Sequence, residues 1–233
     1  MGMTNRLACA AALTLAIVVP ARADVLLAEG FNDISTLAGS GWAMVNNSSP
    51  AGSTAWFQGD TLLVPAASGG GNSYIAANFD NAGFGGAISN WLITPTLAMG
   101  NGTQLDFMVR LLGEQGLTDT VQVYLSTNGS SADVGSTASS TGDFLQLLAT
   151  YSASDDAGSW LAESITLSGL AGDFNGRLAF RYVVSDTSLF GDYVGIDSVQ
   201  VSSAAAALPE PGSLALVGLA LVAATFVRRR RAT

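Results

Sequence analysis

Histidine and lysine are absent from this 233-residue chain, and cysteine occurs once, as Cys9. Each absence removes a class of chemistry. Without histidine there is no Ser-His-Asp or Cys-His nucleophile system and no imidazole-ligated zinc. Without lysine, Gly69-Gly70-Gly71 lacks the residue that a phosphate-cradling P-loop needs after its glycines. Cations are scarce in general. Between Asp24 and Ala207 the basic residues are Arg110, Arg177 and Arg181 against seventeen acidic ones, a formal charge of −14. Such a surface repels nucleic acid and anionic lipid. It suits a solvated, exported protein or one that binds divalent cations, and solubility is the simpler of the two readings.

Long apolar runs are confined to the two ends. Arg6, the run Leu7 to Val19 and Ala21-Arg22-Ala23 follow the order of a secretory signal peptide, with Ala21 and Ala23 as the cleavage residues. Residues 1–23 are therefore expected to be removed. Cys9 lies inside the apolar run, away from the cut, so lipidation is not expected, and the mature chain has no disulfide to add to its core.

At the other end, Leu208-Pro209-Glu210-Pro211-Gly212-Ser213 leads into an uncharged stretch ending at Val227, followed by Arg228, Arg229, Arg230 and Arg231. Ser213 to Val227 is 15 residues, about 22 Å of helix at ~1.5 Å per residue, against a hydrocarbon core of ~30 Å. Counting from Leu208 gives 20 residues and a marginal span, with both prolines tolerated in its first turn. An uncharged run with a basic stop predicts a transmembrane helix whose arginines stay cytoplasmic, which a buried core helix would not require.

These residues carry a resemblance. Pro209-Glu210-Pro211, the apolar helix and the terminal arginine cluster are similar to the PEP-CTERM sorting domain of Gram-negative bacteria. The resemblance implies an exosortase-type membrane protease as partner, a cut near the Pro-Glu-Pro, transient anchoring in the inner membrane and delivery to the envelope or beyond.

The middle of the chain reads as strand. Leu105, Phe107, Val109 and Leu111 alternate with Gln104, Asp106, Met108 and Arg110, and similar period-2 runs recur at 121–125, 164–168 and 177–184. A last run, Val194, Ile196, Val199 and Val201, changes phase near Asp197-Ser198. Such runs, bounded by Gly, Asn, Ser and Asp, predict antiparallel strands near 25–31, 42–46, 55–58, 73–78, 91–98, 103–112, 119–126, 144–151, 160–168, 176–185 and 193–202. Many short strands at this spacing predict an all-β, antiparallel two-sheet sandwich over 24–202. A 203–208 linker and the 209–231 sorting signal follow. The Ser/Thr/Gly stretch Ser126 to Gly142 reads as an exposed, mobile loop.

Glu29-Gly30-Phe31-Asn32, Gly41-Trp42, Trp91-Leu92-Ile93-Thr94-Pro95 and Gly195-Ile196-Asp197 together resemble the choice-of-anchor J domain, a bacterial module similar to MAM-type jelly rolls. The resemblance spans about 28 to 201 and implies a jelly-roll fold. Asn32 departs from the acidic residue expected after the phenylalanine. In jelly-roll modules the first and last strands often lie side by side, sometimes around a structural calcium, which here would draw on Glu29, Asp33 and Asp197. Carboxylates suit such a hard cation. The alternative is that Asp197 bonds backbone at a bulge.

Trp42, Trp56, Trp91 and Trp160 are candidates for a sugar platform or, more simply, for core positions. Asn46, Asn47, Asn101 and Asn128 open N-x-Ser/Thr sequons, read as polar loops. A glycosidase would need two facing carboxylates. Glu29, Glu114 and Glu163 could supply them, but nothing singles out a pair. Function therefore stays among three classes. The leading one is a non-enzymatic structural or adhesive surface protein tied to polysaccharide, followed by a carbohydrate-binding module and a glycoside hydrolase.

Overall fold

The computed structural model describes residues 23–112, 119–152 and 158–204. Residues 23–204 form a compact unit with its own core. Thirteen strands make two antiparallel sheets. The first three are β1 (Val25–Glu29), β2 (Ala43–Asn46) and β3 (Ser49–Ala51), followed by β4 (Phe57–Gln58), β5 (Ile75–Asn78) and β6 (Ala82–Ile93). Then come β7 (Leu97–Met99), β8 (Gln104–Leu112), β9 (Thr120–Ser126) and β10 (Gln146–Ser152). The series closes with β11 (Leu161–Thr166), β12 (Phe174–Val184) and β13 (Tyr193–Ser202).

The six-stranded sheet runs β11-β8-β13-β5-β4, with β1 also on β13. The seven-stranded sheet runs β10-β9-β12-β6-β2, with β3 on β6 and β7 on β12. The predicted alternation is what packs. Leu105, Phe107, Val109 and Leu111 of β8 meet Leu178, Phe180, Tyr182 and Val184 of β12 in one buried cluster between the sheets. Phe107 and Phe180 touch edge-to-face across it, centroids 5.0 Å apart, the arrangement that aromatic quadrupoles prefer. Among the described residues no helix is long and apolar enough to cross a membrane. The predicted span lies outside those residues, as do Ala21 and the motif from Pro209 to Arg231.

Two expectations are corrected. Residues 82–90, left between predicted strands, are the first nine of β6. Ala82, Gly83, Gly85 and Gly86 show no hydrophobic period, and pairing with β3 and β12 defines the strand instead. The Ser126–Gly142 stretch, expected to be exposed, lies on the outer face of the seven-stranded sheet with Val134 wholly buried. Its backbone is held by side chains: Asn47 donates to the Gly135 carbonyl at 2.8 Å, and the Arg181 guanidinium donates to that of Ala138.

At the end of the sandwich where β12 turns into β13, Asp119 is completely buried. It accepts from the Tyr182 hydroxyl at 2.7 Å and from the Asp192 backbone N–H at 3.0 Å. Burial, opposed by these bonds, pushes its carboxyl up to about 6. Because the folded value lies above the ordinary 3.8, the contribution is fully present below that value and is lost as pH rises through about 6. Asp119→Asn, neutral at every pH, removes this slope. The stability of the wild type relative to Asp119→Asn is expected to fall by up to about 3 kcal/mol between pH 3.5 and 7, at ~1.4 kcal/mol per pKa unit. Parallel denaturant titrations at each pH measure it, and a difference independent of pH would refute the assignment.

Candidate functional site

The three carboxylates proposed for calcium are engaged separately. Glu29 ends β1, and its Oε1 accepts from the Phe31 N–H at 2.7 Å. That bond holds Phe31 in a left-handed turn, φ 49°, from which its ring enters the core against Trp42. Asp33 caps the helical turn Ile34–Thr36, accepting from the Ser35 N–H and hydroxyl at 3.0 and 2.6 Å. The Ser35 bonds hold its carboxyl below the ordinary range. Asp197 is fully buried. It takes the Ser68 N–H at 3.0 Å and the Ser198 hydroxyl at 3.2 Å, and burial raises its pKa. Among the described residues no three acidic side chains converge on a metal position.

Asp197 instead sits at the phase change read in the sequence. Ser198 is left-handed, φ 53°, and the β13–β8 register shifts between Asp197 and Gln200. Asp197 shares the outward phase of Tyr193 and Gly195 and pins the 60–73 loop, while the bulge at Ser198 returns Val199 and Val201 to the core. Beneath that loop Val64, Tyr74, Ala76 and Tyr193 form a second buried cluster. Trp160 meets Tyr74 edge-to-face, centroids 5.4 Å apart, and its indole N–H donates to the Pro65 carbonyl at 2.9 Å.

The other outer face is covered in the same way. Trp91, Ile93, Tyr124 and Ala179 meet Val134 and Phe144 of the covering loop. Arg181 lies 4.9 Å from the centroid of Trp91 and donates through Nε to Ser89 Oγ at 3.0 Å. Trp42, Trp56 and Trp91 are buried, and Trp160 is half-buried against the Tyr74 cluster, so the four do not form an exposed platform. The sequon asparagines are structural too. Asn46 donates to Thr54 and Asn81 carbonyls, Asn101 to Leu170, and Asn128 to Asp143.

Glu29 and Glu163 do not face each other. β11 and β1 are three strands apart in the sheet, about 14 Å at ~4.8 Å per strand, beyond the ~5–9.5 Å of paired glycosidase carboxylates. Glu114 lies outside the described residues. Two shallow depressions of about 260 and 280 Å³ flank the bulge, sharing Ser198 and lined by Asp106, Met108 and Ser164 or by Glu29 and Gln200. Sequence reasoning missed Gln58, which accepts from Ile34 N–H and donates to Phe31 and Asn72 carbonyls, so tying the first turn to the covering loop. It also missed the exposed Phe84. A lone polar residue and a phenylalanine among glycines carry no period to find.

Removing the Asp197 carboxylate leaves the Ser68 amide without its acceptor. Asp197→Ala is expected to cost about 1–3 kcal/mol, a melting shift of roughly 2–12 °C at ~2–4 °C per kcal/mol. Calcium and magnesium at equal concentration should shift the wild-type melting curve equally. A calcium-specific shift that Asp197→Asn abolishes would establish the shared site after all.

Residues 207–231 match the PEP-CTERM protein-sorting motif. No curated protein matches the chain. Among solved structures, the K1 cleaved adhesin domain of Lys-gingipain from Porphyromonas gingivalis W83 is similar at 22% identity and TM-score 0.53, over 76% of this chain and 97% of that one. The K3 adhesin domain of the same protein gives 18% identity and TM-score 0.51, over 78% and 99%. The CBM22-1 xylan-binding domain of Paenibacillus barcinonensis gives 14% and TM-score 0.43, over 82% and 100%. The adhesin likenesses bear on the fold alone, and they agree with the all-β sandwich. The matched motif makes the chain an exported protein that carries a PEP-CTERM sorting signal.

Proposed function

We propose that this is a non-catalytic adhesive or structural protein of the cell surface or extracellular matrix, a choice-of-anchor type sandwich held close to polysaccharide. The observation that carries the reading is a sorting motif behind a sandwich that packs a loop on the outer face of each sheet. The absence of histidine and of a mature-chain cysteine supports a role without nucleophilic catalysis. In this reading signal peptidase cuts after Ala23, and the 209–227 segment enters the inner membrane with Arg228 to Arg231 on the cytoplasmic side. An exosortase-type protease then cuts near Glu210 and passes the domain outward. A carbohydrate-binding module is the second reading, favoured by the surplus of acidic and amide side chains over cations.

Mass spectrometry of washed envelope and matrix fractions tests this. The expected species begins at Asp24, ends near Pro209–Pro211 and lacks the arginine cluster. Deleting 208–233 should move the protein to the culture medium. A surface species that retains Arg228 to Arg231 would overturn the processing step. A correctly cut domain found only free in the medium would overturn the adhesive role.

A further inference from the structure

A sheet edge presents unpaired N–H and C=O groups, so a long, regular edge strand is a template for a strand of another molecule. The strands that pair on one side only among the described residues are β1, β2, β3, β4, β7, β10 and β11. All but the last are blunted by brevity, proline or a bulge. β4 has two residues, β3 and β7 have three each, and β2 has four. β3 also contains Pro50, which has no N–H to give a partner. β1 shifts register between Val25 and Leu27, and β10 between Leu147 and Ala149. Such bulges twist an edge away from an incoming strand.

β11 has none of these devices. Its six residues, Leu161–Thr166, pair with β8 without a register shift and include neither proline nor glycine. Its side chains alternate regularly, with Leu161 and Ile165 packed on the central cluster and Ala162, Ser164 and Thr166 exposed. The departure from pattern is Glu163. It stands on the inner phase, between Leu161 and Ile165 and opposite Phe107, where an apolar side chain would bury more surface. Phe107 in turn meets Tyr151 of β10 edge-to-face, centroids 5.7 Å apart. The Tyr151 hydroxyl lies against the Glu163 carboxylate, and burial first, then this neighbour, raise its pKa. Glu163 therefore sits half-buried at the open side of the sandwich, between the edge strands of the two sheets.

An inward-facing charge is one of the ways in which an edge strand is kept from pairing, and Glu163 is the one charged residue of β11. Lysine, the commoner edge charge, is absent from the chain. What Glu163 opposes follows from strand geometry. Two β11 strands paired antiparallel, with both second sheets on the same side, would set Leu161 of each against Ile165 of the other and Glu163 against Glu163. Directly opposed residues have Cβ atoms about 4.5–5.5 Å apart, and like charges there destabilise the pair. Joining the sheets would also withdraw both carboxylates from the water they reach at the open side. The formal charge of −14 repels a second copy at a distance, but salt screens it beyond ~8 Å. Glu163 acts at contact.

We infer that Glu163 keeps the free edge of β11 from pairing with the same edge of a second copy, and that without this carboxylate the six-stranded sheets of two molecules join into one. The inference goes beyond the adhesive reading and does not depend on it: it concerns what holds the domain single, not what the domain binds.

Sedimentation velocity of the 24–204 domain, which has its own core, tests it over a range of concentrations at physiological salt. The wild type is expected to stay monomeric. Glu163→Val completes the apolar row from Leu161 to Ile165, so it should melt no lower than the wild type. It should associate at concentrations at least about tenfold below any at which the wild type does. Glu163→Gln keeps the size and an acceptor for Tyr151 while losing the charge, and should associate to a smaller degree. Glu163→Asp should remain monomeric. In associated Glu163→Val, amide hydrogen exchange should slow further at residues 161–166. Folded Glu163→Val and Glu163→Gln that both stay monomeric would overturn the inference, as would association that leaves the 161–166 amides unchanged. A wild type already associated through that edge would overturn it too. If Glu163→Val fails to fold, Glu163→Gln alone decides, and a monomeric result for it refutes the role.

Discussion

β13 is hydrogen-bonded to β8 along one side and, end to end, to β5 and β1 along the other. The six-stranded sheet therefore depends on the register of this one strand. A strand of ten residues with apolar side chains at 194, 196, 199 and 201 cannot face one core without absorbing a residue, because side chains alternate with period two. Ser198 absorbs it at φ 53°. All four apolar residues then reach the central cluster, while Asp197, on the outward phase of Tyr193 and Gly195, lies under the 60–73 loop, where its carboxylate meets backbone N–H groups instead of water. One bulge thus keeps both halves of the strand facing the same core.

The alternation that is plain in the sequence decides only the inner faces. The strands near 103–112, 119–126, 176–185 and 193–202 are legible because their inner residues are large and apolar and the outer ones mostly polar. The second layer was not legible. Trp91 and Tyr124 stand on the outward phase of their strands, and Val134 sits in a Ser/Thr/Gly stretch whose composition reads as solvated loop. They become core through a tertiary contact that no local period encodes. The N-terminal half of β6 was hidden for the opposite reason: its glycines are present for close approach to Pro50 and supply no side chain to pattern. Of the candidate site, Asp197 was found through the phase change. Its partner Ser68 lies 129 residues away and leaves no local trace.

Charge is arranged to suit export. Of the three cations in the domain, Arg181 is buried and is solvated by neutral groups, Ser89, Gln122, the Ala138 carbonyl and the face of Trp91. Its guanidinium keeps its charge although burial lowers its pKa, because polar bonds and the ring quadrupole replace water. It serves as the fastening of the 127–144 cover. The outer surface is left acidic, which favours solubility and weak self-association in an exported protein whose mature chain has no disulfide.

Covering both sheets has a functional consequence. In a sandwich with one open face, binding groups can be placed on a rigid strand platform. Here Trp91, Tyr124 and Arg181 on one sheet, and Tyr74, Tyr193 and Trp160 on the other, are used to seat loops. Each seated loop adds a buried cluster, so stability that a disulfide would supply in a small exported domain comes from two extra apolar layers. Contact is left to the uncovered parts of the outer faces, such as the depressions beside Ser198, to the strand edges and to the two ends. One end holds Asp24 and Ser203, bonded to each other. The other carries the exposed Phe84 and Leu189. Seating the loops thus takes the aromatic side chains beneath them out of reach of a ligand and turns them to stability.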